Sequence, residues 1–321
     1  MIDRYTIMGL VVAVFMVLGI GGLLRKFNWL TQEADESLLK LVVRLLMPCF
    51  FFNVVVGNDK FMNFLDAWPP PTIGFVSTAI GYLLALFVAR LLGPRIGLKS
   101  RIAQHTFALC VGTFNYGYIP LPLIDSMFDT ATLGTLVVHN LGVEIAIWTI
   151  GLLILQGKLD RNSWKRILNP PLIAIVLSLT LNQMGWHDDL PTFITSPIKL
   201  LAQATIPMGL IMVGATMADQ LALTKNQLLS GWREAAAGVV LRMMILPVIF
   251  IFAARYLAID VELKRVMVVQ AAMPCAVFPI VLAKHYGGDT AVALRVVLAT
   301  SIVAIISIPN VITEGLAFIL N

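Results

Sequence analysis

Charge is what this sequence is short of. Only 13% of its 321 residues are Asp, Glu, Lys or Arg, against 59% that are hydrophobic, and the mean hydropathy is +0.87. A water-soluble domain of this length has too much surface to be covered by so few charges, so an all-α polytopic membrane protein is expected. Cysteine is scarce too. Cys49, Cys110 and Cys275 each lie in an apolar run, which excludes a disulfide framework. The four histidines and three cysteines show no metal-ligand spacing, so neither a metal nor a cofactor is expected. There is no H-E-x-x-H, no G-x-S-x-G, no Walker motif and no pair of intramembrane aspartates, which argues against an enzyme. Nothing resembles a selectivity filter, which argues against a channel. The net charge of +5 is small and its basic residues sit in short loops, a pattern of membrane topology rather than of nucleic-acid binding. No loop is long enough for a soluble domain. The first apolar run ends in "GIGGLLRKF" without an A-x-A cleavage site and reads as a retained span.

What the sequence has is one apolar run after another. About ten are expected to span the membrane, near 6–24, 37–57, 70–92, 102–124, 131–154, 170–185, 193–218, 232–256, 262–283 and 290–318. The connectors alternate in sign. Arg25 and Lys26, then Arg90, Arg95, Lys99 and Arg101, then Lys158, Arg161, Lys165 and Arg166, then Lys225 and Arg233, then Lys284 fall on one side. Asp59 and Asp66, Asp125 and Asp129, and Asp188 and Asp189 fall on the other. The positive-inside rule puts the basic side in the cytoplasm, with both termini outside, as for a multi-pass protein of the inner (plasma) membrane.

An internal repeat follows from the helix breakers. Pro48 to Pro207, Asn115 to Pro274 and Pro120 to Pro279 are each separated by 159 residues. The same offset carries span one onto six, three onto eight and five onto ten. This divides the chain into a first five-helix repeat, 1–155, a cytoplasmic linker, 156–169, and a second repeat, 170–321. Five is odd, so the second repeat enters from the opposite face, an inverted arrangement that recurs in secondary transporters. Spans four and nine hold the densest breakers, in "FNYGYIPLPL" and "AAMPCAVFP". Proline removes an N–H and clashes with the preceding turn, so each span is expected to break near the midplane. Free backbone at that depth is tolerated only where it lines a protein-walled cavity. Half-helix N-termini suit an anion and freed carbonyls suit a cation.

"NYGYIPLPL" followed by "AAMPCAVFPIVLAKHYGGD" resembles the auxin efflux carrier family, which includes the plant PIN-type carriers and bacterial permeases assigned to malonate and other small carboxylates. The spacing of Pro274, Pro279, Ala283, Lys284 and Tyr286 is similar to the PIN-type pattern, and the resemblance runs from about residue 5 to 318. The plant carriers' large central loop is absent. The resemblance implies a bile-acid-symporter-like fold of ten helices in which helices four and nine cross at their breaks. It implies a scaffold of helices one, two, six and seven, an elevator-like transport domain of the other six, and an organic anion as substrate.

The candidate substrate site comprises Asn115, Tyr116, Gly117, Tyr118 and Pro120 at the first break and Pro274, Cys275 and Pro279 at the second, with Gln270 and Arg44 nearby. An amide at a break, as at Asn115, can donate to a carboxylate or cap the broken helix. Arg44 lies one turn before Pro48 and either meets the carboxylate or snorkels, as Lys40 does. A charge at mid-bilayer is functional or paired. Glu144 and Arg242, halfway along spans five and eight, are therefore read either as a buried ion pair or as a proton carrier and an anion attractant. His139 is a proton relay or a satisfied core histidine. Arg295 is expected to snorkel. The function expected is a carrier of a small organic anion, its partners that anion and the bilayer, with a homodimer allowed. The alternative is a membrane receptor that binds an organic acid without moving it. Single cysteines at Lys60 and Asn162, in a cysteine-free background, should label from opposite sides of the membrane; labelling from one side would end the topology.

Overall fold

The computed structural model describes residues 3–157, 168–224 and 231–320. Lys158, Arg161, Asn162, Lys165, Arg166 and Lys225, with most of the 156–169 linker, lie outside the described residues. Those described are helical, joined by short connections. Seven helical segments are long and apolar enough to cross a membrane: Arg4–Lys26, Gln32–Val55, Leu65–Ile96, Thr130–Gln156, Thr192–Ala222, Trp232–Tyr256 and Thr290–Leu320. The other three expected spans differ. The sixth is a shorter apolar helix, Pro170–Met184. The fourth and ninth are each two short helices with non-helical backbone between them.

In chain order the helices are α1 (Arg4–Lys26), α2 (Gln32–Leu41), α3 (Met47–Val55), the single turn α4 (Phe64–Ala67), α5 (Pro69–Ile96), α6 (Arg101–Gly112), α7 (Pro120–Met127), α8 (Thr130–Ala146) and α9 (Leu152–Gln156). Then follow α10 (Pro170–Met184), α11 (Thr192–Thr224), α12 (Trp232–Val240), α13 (Leu246–Tyr256), α14 (Val261–Ala271), α15 (Phe278–Tyr286) and α16 (Thr290–Leu320). Wide π turns join α2 to α3 (Val42–Leu46) and α12 to α13 (Leu241–Ile245). Each lies just before a proline, Pro48 or Pro247, whose ring would clash with the carbonyl four residues back; an added residue in the turn moves that carbonyl aside. Side chains open the helices where the chain turns: Ser100 accepts from Ala103 N–H, Asp129 from Thr132 N–H and Asn169 from Leu172 N–H. At the short 3-10 turn after α3 (Asp59–Phe61), Lys60 is ion-paired with Asp260 at 2.5 Å and with Glu262 at 3.6 Å. Burial opposes its charge, but these carboxylates outweigh it and hold the ammonium pKa above its usual value.

The helices pack in two groups. In one, α1 lies along α11, α10 lies along α3, and α3 meets α11. In the other, α5 packs on α6 and α8, while α12 and α13 pack on α16 and α14. Where lipid tails are as apolar as the side chains, close backbone approach does the work that the hydrophobic effect does in water. Two glycines permit it. A Cβ on Gly142 of α8 would sit 1.7 Å from the Pro71 carbonyl oxygen of α5, and one on Gly214 of α11 would sit 1.9 Å from the Leu18 carbonyl oxygen of α1. Gly142→Ala and Gly214→Ala should therefore each lower the melting temperature, at a cost of about 1–3 kcal/mol for overpacking. Gly9→Ala, whose Cβ meets nothing within 4 Å, should leave it unchanged or raise it. Equal melting of all three variants would show that the helices part without cost.

Candidate functional site

The two broken segments meet. α6 ends at Gly112 and the chain runs extended through Thr113 before α7 begins at Pro120, a first-turn position where the missing N–H costs nothing. α14 ends at Ala271 and α15 begins at Phe278, with Pro279 in its first turn. Between them Phe114 and Cys275 form an antiparallel bridge. Asn115 N–H donates to the Pro274 carbonyl at 2.8 Å, and Ala276 N–H donates to the Thr113 carbonyl at 2.9 Å. Each break thus satisfies backbone groups freed by the other.

Polar side chains from neighbouring helices take up the groups that remain. Asn140 Nδ2 (2.8 Å) and Gln270 Nε2 (3.2 Å) both donate to the Tyr116 carbonyl, and Gln270 Nε2 also donates to Asn140 Oδ1 at 3.0 Å. The Thr300 hydroxyl accepts from Cys275 N–H at 3.3 Å. The Tyr82 and Thr113 hydroxyls lie 2.7 Å apart. Beside this network is a cavity of about 10 Å³, lined in part by Ser77, His139 and Gln270, with room for about one water molecule.

The Asn115 carboxamide stands apart. Its residue is 8% exposed, yet among the described residues its side chain makes no hydrogen bond. It caps neither half-helix, since the residue preceding α7 is Ile119 and no side chain caps that end. Gly117 beside it faces open space: a Cβ there would meet nothing within 4 Å. Tyr118 leans the other way, its ring so close to Gly209 of α11 that a Cβ on that glycine would fall 2.3 Å from it. The first break therefore has one face on the network and another toward α11. Pro120, Pro274, Cys275 and Pro279 are buried around the crossing.

Glu144 and Arg242, expected at mid-bilayer, are arranged differently from an ion pair. Glu144 accepts from the Tyr116 hydroxyl at 2.9 Å and from Trp148 Nε1 at 3.1 Å. Arg242 is fully buried and donates to the carbonyls of Met273 (2.8 Å), Gln270 (2.8 Å) and Ala271 (3.3 Å). Its guanidinium also lies 4.8 Å from the centre of the Phe114 ring. No ion pair joins Glu144 to Arg242 among the described residues, because each is held by other groups. Arg242 serves the carbonyl end of α14, where the break leaves acceptors without donors. His139 is buried, 3.5 Å from Asn140 Oδ1. Arg44 is exposed on its π turn and makes no hydrogen bond to the crossing. Lys40 pairs with Glu36 on the surface.

One buried pair escaped the sequence. Arg295 does not snorkel but meets Glu234 at 2.7 Å, both side chains nearly covered. Its signal was available: two opposite charges a few residues into the eighth and tenth apolar runs, each entering from the basic end.

The model of the family described as "Membrane transport protein" matches residues 6–163 and 159–312, nearly the whole chain. The chain belongs to this family, that of the auxin efflux carriers. It is 24% identical over 308 residues to an uncharacterized transporter of Methanothermobacter thermautotrophicus, covering 93% of this chain and 95% of that one. It is 23% identical over 292 residues to an uncharacterized transporter of Methanocaldococcus jannaschii, covering 88% and 90%. Over 145 residues it is 28% identical to the probable auxin efflux carrier component 3b of Oryza sativa subsp. japonica, 44% of this chain and 24% of that one. This family member is a multi-pass membrane transport protein, not an enzyme.

The geometry separates two substitutions that an ion pair would couple. Arg242→Gln strips donors from three buried carbonyls and should cost about 1–3 kcal/mol for each left unpaired, a large loss of melting temperature. Glu144→Gln keeps one acceptor and should cost about 1 kcal/mol. The double variant should show the sum. Recovery in the double variant would mean that the two charges couple after all.

Proposed function

We propose that this protein is a secondary carrier that moves a small carboxylate across the membrane, binding it at the crossing of the two broken helices. The observation that carries the reading is the Asn115 carboxamide: on a residue only 8% exposed, unbonded, with its own backbone bonded to Pro274, and beside the open space at Gly117. An accessible amide that no protein group uses is free to bond a ligand or water. The nearby N-terminal turns of α7 and α15 add a field that favours an anion. The relatives named as auxin efflux carrier components agree with an organic acid as cargo.

The same reading takes the two broken segments and α10 as spans, giving ten helices in two inverted repeats, with the packing group of α1, α2, α3, α10 and α11 as scaffold and the other group as an elevator-like transport domain. Support comes from pairs that exchange under the 159-residue offset. The α1–α11 contact answers α10–α3, and the α5–α8 contact answers α12–α16. The Thr205 hydroxyl donates to the Leu46 carbonyl, its own counterpart 159 residues earlier, at 2.9 Å. The Tyr118 ring on Gly209 is then a contact between the moving and fixed parts.

The test is binding and flux. A panel of labelled carboxylates led by malonate is first screened for thermal stabilisation. With the stabilising acid, Asn115→Ala should keep the fold and lose about 1–3 kcal/mol of affinity, tenfold to hundredfold. Pro120→Ala lets α7 extend toward α6 and should reduce proteoliposome flux more than binding. Unchanged affinity in a well-folded Asn115→Ala would overturn the site. Binding without flux in the unaltered protein would make it a receptor.

A further inference from the structure

The basic end of the molecule carries a cleft that the proposed carrier site does not use. Its volume is about 500 Å³, and it is lined by Arg90 from α5 and by Arg101, Gln104 and His105 from the first turns of α6. Several basic residues in this structure are matched: Arg25 with Asp35 and Asp219, Arg295 with Glu234, Lys60 with Asp260. Arg90 and Arg101 are not. Among the described residues neither has an acidic partner or a hydrogen bond, although the two converge on one cleft. Gln104 is fixed there by a 3.1 Å bond from its Nε2 to the Leu98 carbonyl.

Directly along α5 from Arg90 runs an uncovered apolar strip. Leu83, Phe87 and Leu91 recur every four residues on one face and are 59–63% exposed; Ile102 of α6, beside Arg101, is 55% exposed. The cleft therefore offers two guanidiniums at the head of an exposed apolar helix face. We propose that it binds the headgroup of an anionic phospholipid, the phosphodiester held by Arg90 and Arg101 and the acyl chains laid along Leu83, Phe87 and Leu91. Guanidinium forks match phosphate oxygens in number and geometry. Basic pockets between spans at the membrane surface suit anionic lipid heads. A free phosphate would satisfy the arginines but leave the strip without its occupant.

The experiment uses the purified full chain in detergent, titrated separately with phosphatidylglycerol, phosphatidylcholine and inorganic phosphate. Retained lipid is read by native mass spectrometry and stability by melting temperature. Phosphatidylglycerol should be retained and raise the melting temperature, phosphatidylcholine less so, and phosphate alone not at all. Arg90→Gln with Arg101→Gln should weaken phosphatidylglycerol binding by about tenfold or more while melting normally in lipid-free detergent. Arg95→Gln with Lys99→Gln removes the same charge from the same end, outside the cleft, and should leave binding intact. If the first double variant melts early without lipid, Arg101→Gln alone carries the comparison. Equal retention of the two lipids, equal loss in the two double variants, or stabilisation by phosphate alone would each overturn the proposal.

Discussion

A buried backbone N–H or C=O without a partner is costly, and this chain interrupts two of its buried helical segments. The interruption survives because the two breaks serve each other. Asn115 N–H and Ala276 N–H reach across to the Pro274 and Thr113 carbonyls, a two-bond fragment of sheet inside a helical protein. Everything around the crossing follows from what this bridge leaves undone. Asn140 and Gln270 turn to the Tyr116 carbonyl, Thr300 to the Cys275 amide, and Arg242 to the carbonyl end of α14. These side chains are buried polar groups whose partners are backbone, which is why they do not read as a cluster of mutually paired residues.

That distinction decides what the sequence could reveal. Prolines act locally, by removing an N–H and fixing φ, so the breaks at 113–119 and 272–277 could be located from Pro120, Pro274 and Pro279 alone. Apolar run length located the seven long helices for the same reason. The partners of Glu144 and Arg242 could not be located, because a mid-membrane charge announces only that it needs a partner. Here the partners were a tyrosine, a tryptophan and three carbonyls rather than each other. Backbone carbonyls are identical at every position and carry no sequence signal. Of the two readings open for Arg44, contact with the carboxylate or snorkelling, its exposed place on the π turn, set by helix rotation and packing, fits the second.

The two breaks are related by the 159-residue offset yet differ chemically. Asn115 corresponds to Pro274, so an amide side chain on one side faces a ring with no donor on the other. The carbonyl end of the second break has a guanidinium bound to it; at the first break no buried cation takes that part among the described residues, and hydroxyls of Tyr82 and Thr113 stand there instead. A cation already fixed to the carbonyls of Gln270, Ala271 and Met273 fills the place where freed carbonyls would otherwise attract one. The second break is thereby held by a charged side chain, though Arg242 Nη1 and Gln270 Oε1 stay buried without a partner among the described residues, while the unbonded group at the first break is the Asn115 amide.

This division bears on how a carboxylate would be bound in the proposed carrier. Arg242 serves three carbonyls through Nε and Nη2 and is fully buried, its Nη1 without a partner among the described residues, so an anion at the crossing would be met first by the more accessible neutral donors, the Asn115 amide and helix N-termini. A direct arginine–carboxylate bond out of water is strong but slow to release once formed, since breaking it leaves a buried charge uncompensated. Neutral donors bind more weakly and release without that penalty. A carrier must let go of its cargo on every cycle, and a site that keeps its one buried guanidinium on its own backbone is suited to do so.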